Sequence, residues 1–260
     1  MNDVDNTEQL PTVISFCSGY GGIERGLDLA RVKHRVIAYV EIEAFAAANL
    51  VAKMESGELA PAPIWTNLKT FPAHLFRDSV DLITGGYPCQ PFSHSGKRMG
   101  AEDLRHLWPY ISDHIRTIRP ARCFFENVDG HISMGLRGVL SDLEEAGYRQ
   151  AWGIFSAAEV GAHHQRKRVF IMAHSDSTLR ARGRVSSRMD KEHTDTNSRS
   201  HEVYEHGTQQ WLPEPRLGRV VDGCADRVDR LRLLGNGVVP QTAAKAWQVL
   251  SQEVKQLEGR

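Results

Sequence analysis

The chain has 260 residues, 41% hydrophobic and 25% charged, which suits one large α/β domain or one domain with a small insertion. Its 32 basic and 32 acidic side chains cancel, so overall charge does not draw it to nucleic acid and any basic surface is local. Four widely spaced cysteines, Cys17, Cys89, Cys123 and Cys224, include no C-x-x-C pair. This excludes a disulfide framework and a zinc signature and fits a reducing cytoplasm. The polar, acidic start from Met1 to Gln9 is not read as a signal peptide, and no apolar run approaches the ~20 residues of a membrane span.

Val13 to Cys17 reads as a first buried strand. It runs into the glycine-rich Ser18-Gly19-Tyr20-Gly21-Gly22 and then a helical pattern through Leu27 to Ala30. Strand, glycine turn and helix form the layout of a nucleotide-type cofactor site, because glycines admit close backbone approach and helix N-terminal amides face the ligand. The spacing is not G-x-G-x-x-G, so the dinucleotide fingerprint is absent and an ordinary tight turn stays open. Val36 to Val40 reads as the second strand and ends in Glu41. An acid at that edge, about 20 residues after the glycine turn, is placed to grip a ribose diol. The alternative is a solvated charge at a strand end. Ala44 to Lys53 is alanine-rich and helical. Ile64 to Leu68 is a short third strand whose end would lie near the adenine of the same cofactor.

The apolar run Val80 to Thr84 is another buried strand, stopped by Gly85 and Gly86. Pro88 and Pro91 then flank Cys89 and stiffen the loop, since proline fixes φ and donates no backbone hydrogen bond. A lone cysteine is more often a small core hydrophobe. Here the prolines, the glycines and the polar Gln90, Ser93 and His94 argue for a thiol displayed at a strand's carboxyl edge, where ligands bind in open α/β sheets. Ser95 to Gly100, with Lys97 and Arg98, is a candidate mobile basic loop.

Leu104 to Ile118 is a helix that stops before Pro120. Arg122 to Phe125 is a strand ending in Glu126-Asn127-Val128, which sets a second acid at the carboxyl edge where Glu126 and Cys89 can face one ligand. Gly138 to Ala146 is helical with Gly147 as its cap, and Ala151 to Phe155 is a strand. His163 and His164 precede Arg166 and Arg168, but no third ligand is spaced to join the histidines in a metal site. A cationic hand for a phosphate or an anionic intermediate fits better, and no metal is expected. Val169 to Ala173 is apolar.

From His174 to Glu205 the composition turns polar and nearly loses its aromatics. This reads as an insertion with little core of its own. Its arginines, Arg180 and Arg182 among them, either lie along DNA phosphates or sit on a solvated loop. Trp211 to Arg219 reads as extended. Gly235-Asn236-Gly237-Val238-Val239-Pro240 leads into a final amphipathic helix, Thr242 to Val254, and Asn236 either makes a plain turn or points its amide at a ligand.

Taken together, these residues resemble the DNA (cytosine-5)-methyltransferase family of bacterial or phage type, over nearly the whole chain and with six motifs in the family's order. Ser18 to Gly22 looks like the first S-adenosylmethionine motif, and Glu41 sits at the place of the ribose-binding acid. Gly86 to Ser93 is similar to the catalytic loop whose Pro-Cys carries the nucleophile. Glu126-Asn127-Val128 looks like the E-N-V motif, Arg166-Lys167-Arg168 like the paired-arginine motif, and Gly235 to Pro240 like the final motif. Cys17 stands where the family usually has phenylalanine, Asn67 where an acid often meets the adenine amino group, His164 for glutamine and His163 for proline.

The resemblance implies a Rossmann-like S-adenosylmethionine-dependent α/β fold with a mostly parallel sheet. It implies a catalytic domain over residues 10–173, a short target-recognition insertion over 174–219 and a returning C-terminal segment over 220–260. It implies methyl transfer to C5 of cytosine in double-stranded DNA at a short sequence, through a covalent Cys89–C6 adduct on a flipped base. Catalytic residues would be Cys89, Glu126, Arg166 and Arg168. The cofactor would lie against Cys17, Ser18, Gly19, Tyr20, Gly21, Gly22, Glu41, Ile42, Asn67, Leu68, Pro88, Asn236 and Val238. DNA would be met by Gln90, Ser93, Ser95, Lys97, Arg98, His164, Arg180 and Arg182. A monomer in the cytoplasm is expected, with a cognate restriction endonuclease as a candidate partner. The insertion is short, so recognition would use few base contacts, a short site or a second chain. An RNA cytosine methyltransferase, a non-catalytic binding protein on the same scaffold and an enzyme of free dCMP are the rival readings.

Overall fold

A computed structural model describes residues 10–88, 107–175, 235 and 237–258. Seven strands form one sheet in the order β3-β2-β1-β4-β5-β7-β6. They are β1 (Thr12–Phe16), β2 (Arg35–Val40), β3 (Ile64–Trp65), β4 (Leu82–Gly86), β5 (Arg122–Val128), β6 (Tyr148–Ser156) and β7 (Lys167–Ser175). The first five are mutually parallel where paired, and β7 runs antiparallel between β5 and β6. The mostly parallel sheet expected from the sequence is therefore present. β1 is buried at every residue, as a parallel strand covered on both faces must be.

Helices cover both faces. On one side α1 (Gly22–Leu29), α2 (Ala44–Glu55) and the last helix, α6 (Pro240–Glu258), bury Leu27, Leu50, Trp247 and Leu250. On the other, α3 (Trp108–Ile118) and α5 (Leu136–Glu145) bury Ile111, Ile115, Val139 and Leu143. A single short turn, α4 (His131–Met134), links β5 to α5. α3 carries Pro109 in its first turn, where no intrahelical N–H is lost, and ends at Arg119 with φ 59° just before Pro120. Gly147 follows α5 at φ 86°, in the left-handed region that glycine enters without a Cβ clash.

The returning helix packs almost backbone to backbone on α1. A Cβ on Gly22 would lie 2.4 Å from the Val238 carbonyl oxygen. Gly22→Ala should therefore force the final segment off α1. Overpacking of about 1–3 kcal/mol at this chain length lowers the melting temperature by roughly 3–10 °C. Thermal unfolding checks it, and an unchanged midpoint would mean that the α1–α6 seam yields freely.

Some boundaries differ from the sequence reading. The third strand is only two residues long, because the Asn67 side chain accepts a hydrogen bond from the Lys69 amide and starts a tight 3₁₀ turn at Leu68. β6 begins at Tyr148 rather than Ala151. β7 continues through His174 and Ser175, both buried, so the strand outruns the compositional change at residue 174. The helix start at Leu104 and most of the proposed insertion lie outside the described residues.

Candidate active site

The strand order reverses between β1 and β4, and the crevice beyond their carboxyl ends is where an open α/β sheet binds ligands. The chain spends its unusual residues there. β1 leads into the glycine turn, β2 into Glu41, β4 into Tyr87-Pro88-Cys89, and β5 carries Glu126. Register aligns Phe16 with Gly85 and Gly86 with Glu126, so these four loop roots stand side by side.

The cofactor half is built on backbone. Gly19 and Gly21 have φ of 56° and 78°, and a Cβ on Gly19 would meet open space. The Gly19 amide donates to Glu41 Oε2 at 2.7 Å, and the Glu43 amide donates to Oε1 at 2.8 Å. Burial, the larger effect, raises the Glu41 carboxyl, and the backbone donors oppose it. Each oxygen keeps a lone pair for a further donor. Ser18 is buried and knits β1 to β2: its hydroxyl donates to the Ser15 carbonyl at 3.0 Å and accepts from the Val40 amide at 3.3 Å. Ile42 and Trp65 expose large apolar surfaces, 69% and 42%, beside this edge. An anionic oxygen pair next to bare backbone and exposed apolar surface suits a nucleoside with a ribose diol and a flat base. The residues present fit S-adenosylmethionine.

Tyr20 closes this half from the far end of the chain. Its hydroxyl donates to the Val238 carbonyl, while Lys53 Nζ donates to the Tyr20 carbonyl at 3.0 Å and lies 4.7 Å over its ring. Arg166 joins the same seam, donating to the carbonyls of Gly235 and Gly237. Its guanidinium thus ties the loop before β7 to the final motif. Leu68 is buried, and its carbonyl accepts a hydrogen bond from His114 Nε2 at 2.7 Å, which fixes the Nε2–H tautomer. Asn67 spends its carbonyl oxygen on the Lys69 amide.

The chemical half centres on Glu126, 5% exposed. Gly86 lies beside it, where a Cβ would be in contact with Glu126 Oε2 at 3.4 Å. Arg168 Nε stands 2.8 Å from Oε1 as an ion pair, yet Oε1 has no aligned hydrogen-bond donor among the described residues. Burial pushes this carboxyl up to about 7 against the pull of Arg168 and Arg166. It is thus poised between acid and carboxylate near neutral pH, as proton-transfer groups are. Arg168 thus pairs directly with Glu126 at the carboxyl edge of the sheet.

The root of the cysteine loop is pinned. Asn127 Nδ2 donates to the Tyr87 carbonyl at 3.0 Å, and the Tyr87 hydroxyl meets His131 Nε2 at 3.0 Å. Burial pushes His131 down to about 4, so it is neutral at pH 7. Pro88 is exposed. Cys89, Gln90, Ser93, Ser95, Lys97, Arg98, Arg180, Arg182 and Asn236 lie outside the described residues. His164 is exposed in the loop before β7, at the same sheet edge. The two described cysteines are held as thiols: burial, then the Glu41 charge, pushes Cys17 up to about 12, and burial raises Cys123.

Several contacts were not expected from the sequence. Glu24, 1% exposed, accepts a hydrogen bond from Thr84 Oγ1 at 2.6 Å behind the glycine turn. The only available signal was a charged residue between Ile23 and Leu27, both apolar and buried in the same helix. The Tyr87–His131 and His114–Leu68 bonds had none. No group of three or more metal-ligating side chains occurs among the described residues, and no helix among them is long and apolar enough to cross a membrane.

Comparison with known proteins agrees with this geometry. The family profile described as C-5 cytosine-specific DNA methylase matches residues 11–218. The Type II methyltransferase M.NaeI of Lentzea aerocolonigenes is 33% identical over 171 residues, covering 62% of this chain and 39% of that protein. The Type II methyltransferase M.NgoMIV of Neisseria gonorrhoeae is 31% identical over 170 residues, covering 62% and 51%. The chain thus matches about half or less of the length of these relatives. In fold it is similar to a Spodoptera frugiperda DNMT2 mutant, with TM-score 0.53 and 22% identity, over 64% of this chain and 50% of that one.

Proposed function

The chain belongs to the C-5 cytosine-specific DNA methylase family, and from that premise we propose that it transfers a methyl group from S-adenosylmethionine to C5 of cytosine in double-stranded DNA, with Cys89 as nucleophile. The observation that carries the reading is Glu126. It is a buried carboxyl held near pKa 7, in register with Gly86, three residues before Cys89.

Cytosine C5 is a poor nucleophile, so the residues must make it one. Cys89 as thiolate adds to C6. A free thiol has pKa near ~8.5, so its environment must help it ionise. Glu126 in its protonated form donates to N3 and accepts from the exocyclic amino group. It thereby draws charge from the ring and leaves C5 enamine-like. Arg168 holds the Glu126 carboxyl in place. S-adenosylmethionine, when bound, supplies an electrophilic methyl on a sulfonium. The C5 proton then leaves to water or a nearby base, the C6–S bond breaks and Cys89 is released. A stacked base cannot reach this crevice, so the target is flipped out, at a cost of about a few kcal/mol of unstacking. Glu41 would hold the ribose diol, Ile42 and Leu68 would serve the adenine, and Tyr20 with Val238 would close the cofactor end.

Glu41→Gln should weaken S-adenosylmethionine binding by about 10- to 100-fold, the worth of one charge-assisted hydrogen bond. Titration calorimetry measures it, and an unchanged Kd would move the ribose elsewhere. The function itself is tested by methylation-sensitive sequencing of DNA from a methylation-free host expressing the protein. Methylcytosine at one short sequence supports a specific DNA enzyme, and methylation at many cytosines supports a weak reader. Absence of methylcytosine, with cofactor binding intact, overturns the DNA reading in favour of RNA or of a partner that supplies recognition. A cytoplasmic monomer paired with a restriction endonuclease is the setting this reading suits.

A further inference from the structure

We propose that His131 is a positioning residue for the cysteine loop, holding through the Tyr87 hydroxyl the backbone from which Pro88 and Cys89 depart. The inference rests on Cys89 being the nucleophile.

β4 ends in Gly85-Gly86, which offer no side chain by which the strand end could be held. Tyr87 is the next residue and is 4% exposed. It is fixed at both ends, and from two different elements. Its carbonyl accepts from Asn127 Nδ2 on β5, and its hydroxyl meets His131 Nε2 on α4, each at 3.0 Å. Between these points its ring lies edge-on to Phe125 (centroids 6.0 Å, 78°) and tilted against Trp108 (5.2 Å, 44°). One hydrogen bond at the carbonyl would leave the residue free to swing about that point; the second, at the far tip of the ring, removes the swing.

His131 is itself held. It is 6% exposed, and its ring crosses that of Tyr87 at 82° with centroids 5.5 Å apart. Gly135 passes so close that a Cβ there would lie 2.8 Å from His131 Cε1, which closes off a rotation of the imidazole toward that side. An apolar side chain could fill this space, but it would give the Tyr87 hydroxyl no hydrogen bond. Tyr87 is two residues before Cys89 in the chain, and a misplacement of about 1 Å at a reacting group costs on the order of 10²-fold in rate.

The test compares His131→Phe, His131→Gln, Tyr87→Phe and the His131→Phe/Tyr87→Phe double variant. Each is assayed as the full chain on unmethylated genomic DNA with radiolabelled S-adenosylmethionine, alongside its melting temperature. His131→Phe and Tyr87→Phe are each expected to lower kcat by about 10- to 100-fold, as a sub-ångström to ångström displacement would. KM for S-adenosylmethionine should hold within about twofold, since the cofactor contacts are untouched. The double variant should be no worse than either single one, and His131→Gln, whose amide can still meet the hydroxyl, should recover most of the rate. Wild-type kcat in His131→Phe overturns the proposal, as do losses that multiply in the double variant or a kcat loss that merely follows a lower melting temperature. If Cys89→Ala is inactive while His131→Phe is indifferent, only the positioning role falls. If Cys89→Ala is as active as wild type, or wild type itself transfers nothing, the underlying reading falls and this one with it.

Discussion

Cys89→Ala is expected to reduce methyl transfer below detection while the protein still binds DNA and S-adenosylmethionine. Without a bond at C6, C5 carries too little electron density to attack a methyl group, and the alanine methyl cannot make that bond. The other described cysteines offer no rescue. Cys17 is pushed up to about 12 by burial and the Glu41 charge, and Cys123 is fully buried and also raised. Neither forms thiolate at neutral pH, and the thiolate is the nucleophile. Removing one sulfur leaves Gly19, Glu41 and the Tyr20–Val238 closure as they are, so cofactor affinity should persist. Methyl transfer to unmethylated DNA, with gel-shift and calorimetric binding on the same preparation, is the measurement. Residual transfer at a rate comparable to wild type would rule out the covalent route.

The sheet was legible because its strands are of the kind that announces itself. β1, β2, β4 and β5 are parallel and largely buried, and so written as mainly apolar runs between glycine turns and helices. The ends were less legible. His174 and Ser175 are polar yet complete β7, because the strand is flanked by β5 and β6 and its backbone pairs whatever the side chains are. Asn67 shortened β3 by capping the following turn, a local hydrogen bond that competes with the ladder.

The acids of the site could be read from position alone, each at the carboxyl end of a strand. What holds them could not. The bonds of Glu24 to Thr84, His131 to Tyr87 and His114 to Leu68 span 60, 44 and 46 residues. Such pairs become visible only when the sheet order sets distant loops side by side. Buried histidines and acids that look idle in the sequence make long-range bonds near the roots of the loops around the crevice.

Glu126→Gln is expected to cost about 10²- to 10⁴-fold in kcat, the range that a positioned acid–base group contributes. The substitution preserves shape and leaves the space beside Gly86 filled, so packing is not what it tests. It removes the carboxyl that, in the proposed mechanism, presents an O–H to N3 and an acceptor to the amino group in turn. The stability cost should stay below the roughly 3–5 kcal/mol typical of breaking a buried ion pair. Glu126 with a pKa of about 7 already carries its proton part of the time at neutral pH, and Arg168 is then without a full counter-charge in the native protein too.

The pH dependence separates the role from a structural one. In the proposed mechanism the active form of Glu126 is the protonated one. In wild type, kcat/KM should therefore fall as pH rises through about 7 on this group's account, while the thiolate of Cys89 becomes more available over the same range. The observed profile is the product of a falling and a rising limb. Glutamine is neutral at every pH, so its variant should keep the rising limb and lose the falling one. A variant with a near-wild-type rate would remove Glu126 from the chemistry. A slow variant that kept the falling limb would assign that limb to another group and leave Glu126 as a support for Arg168 alone.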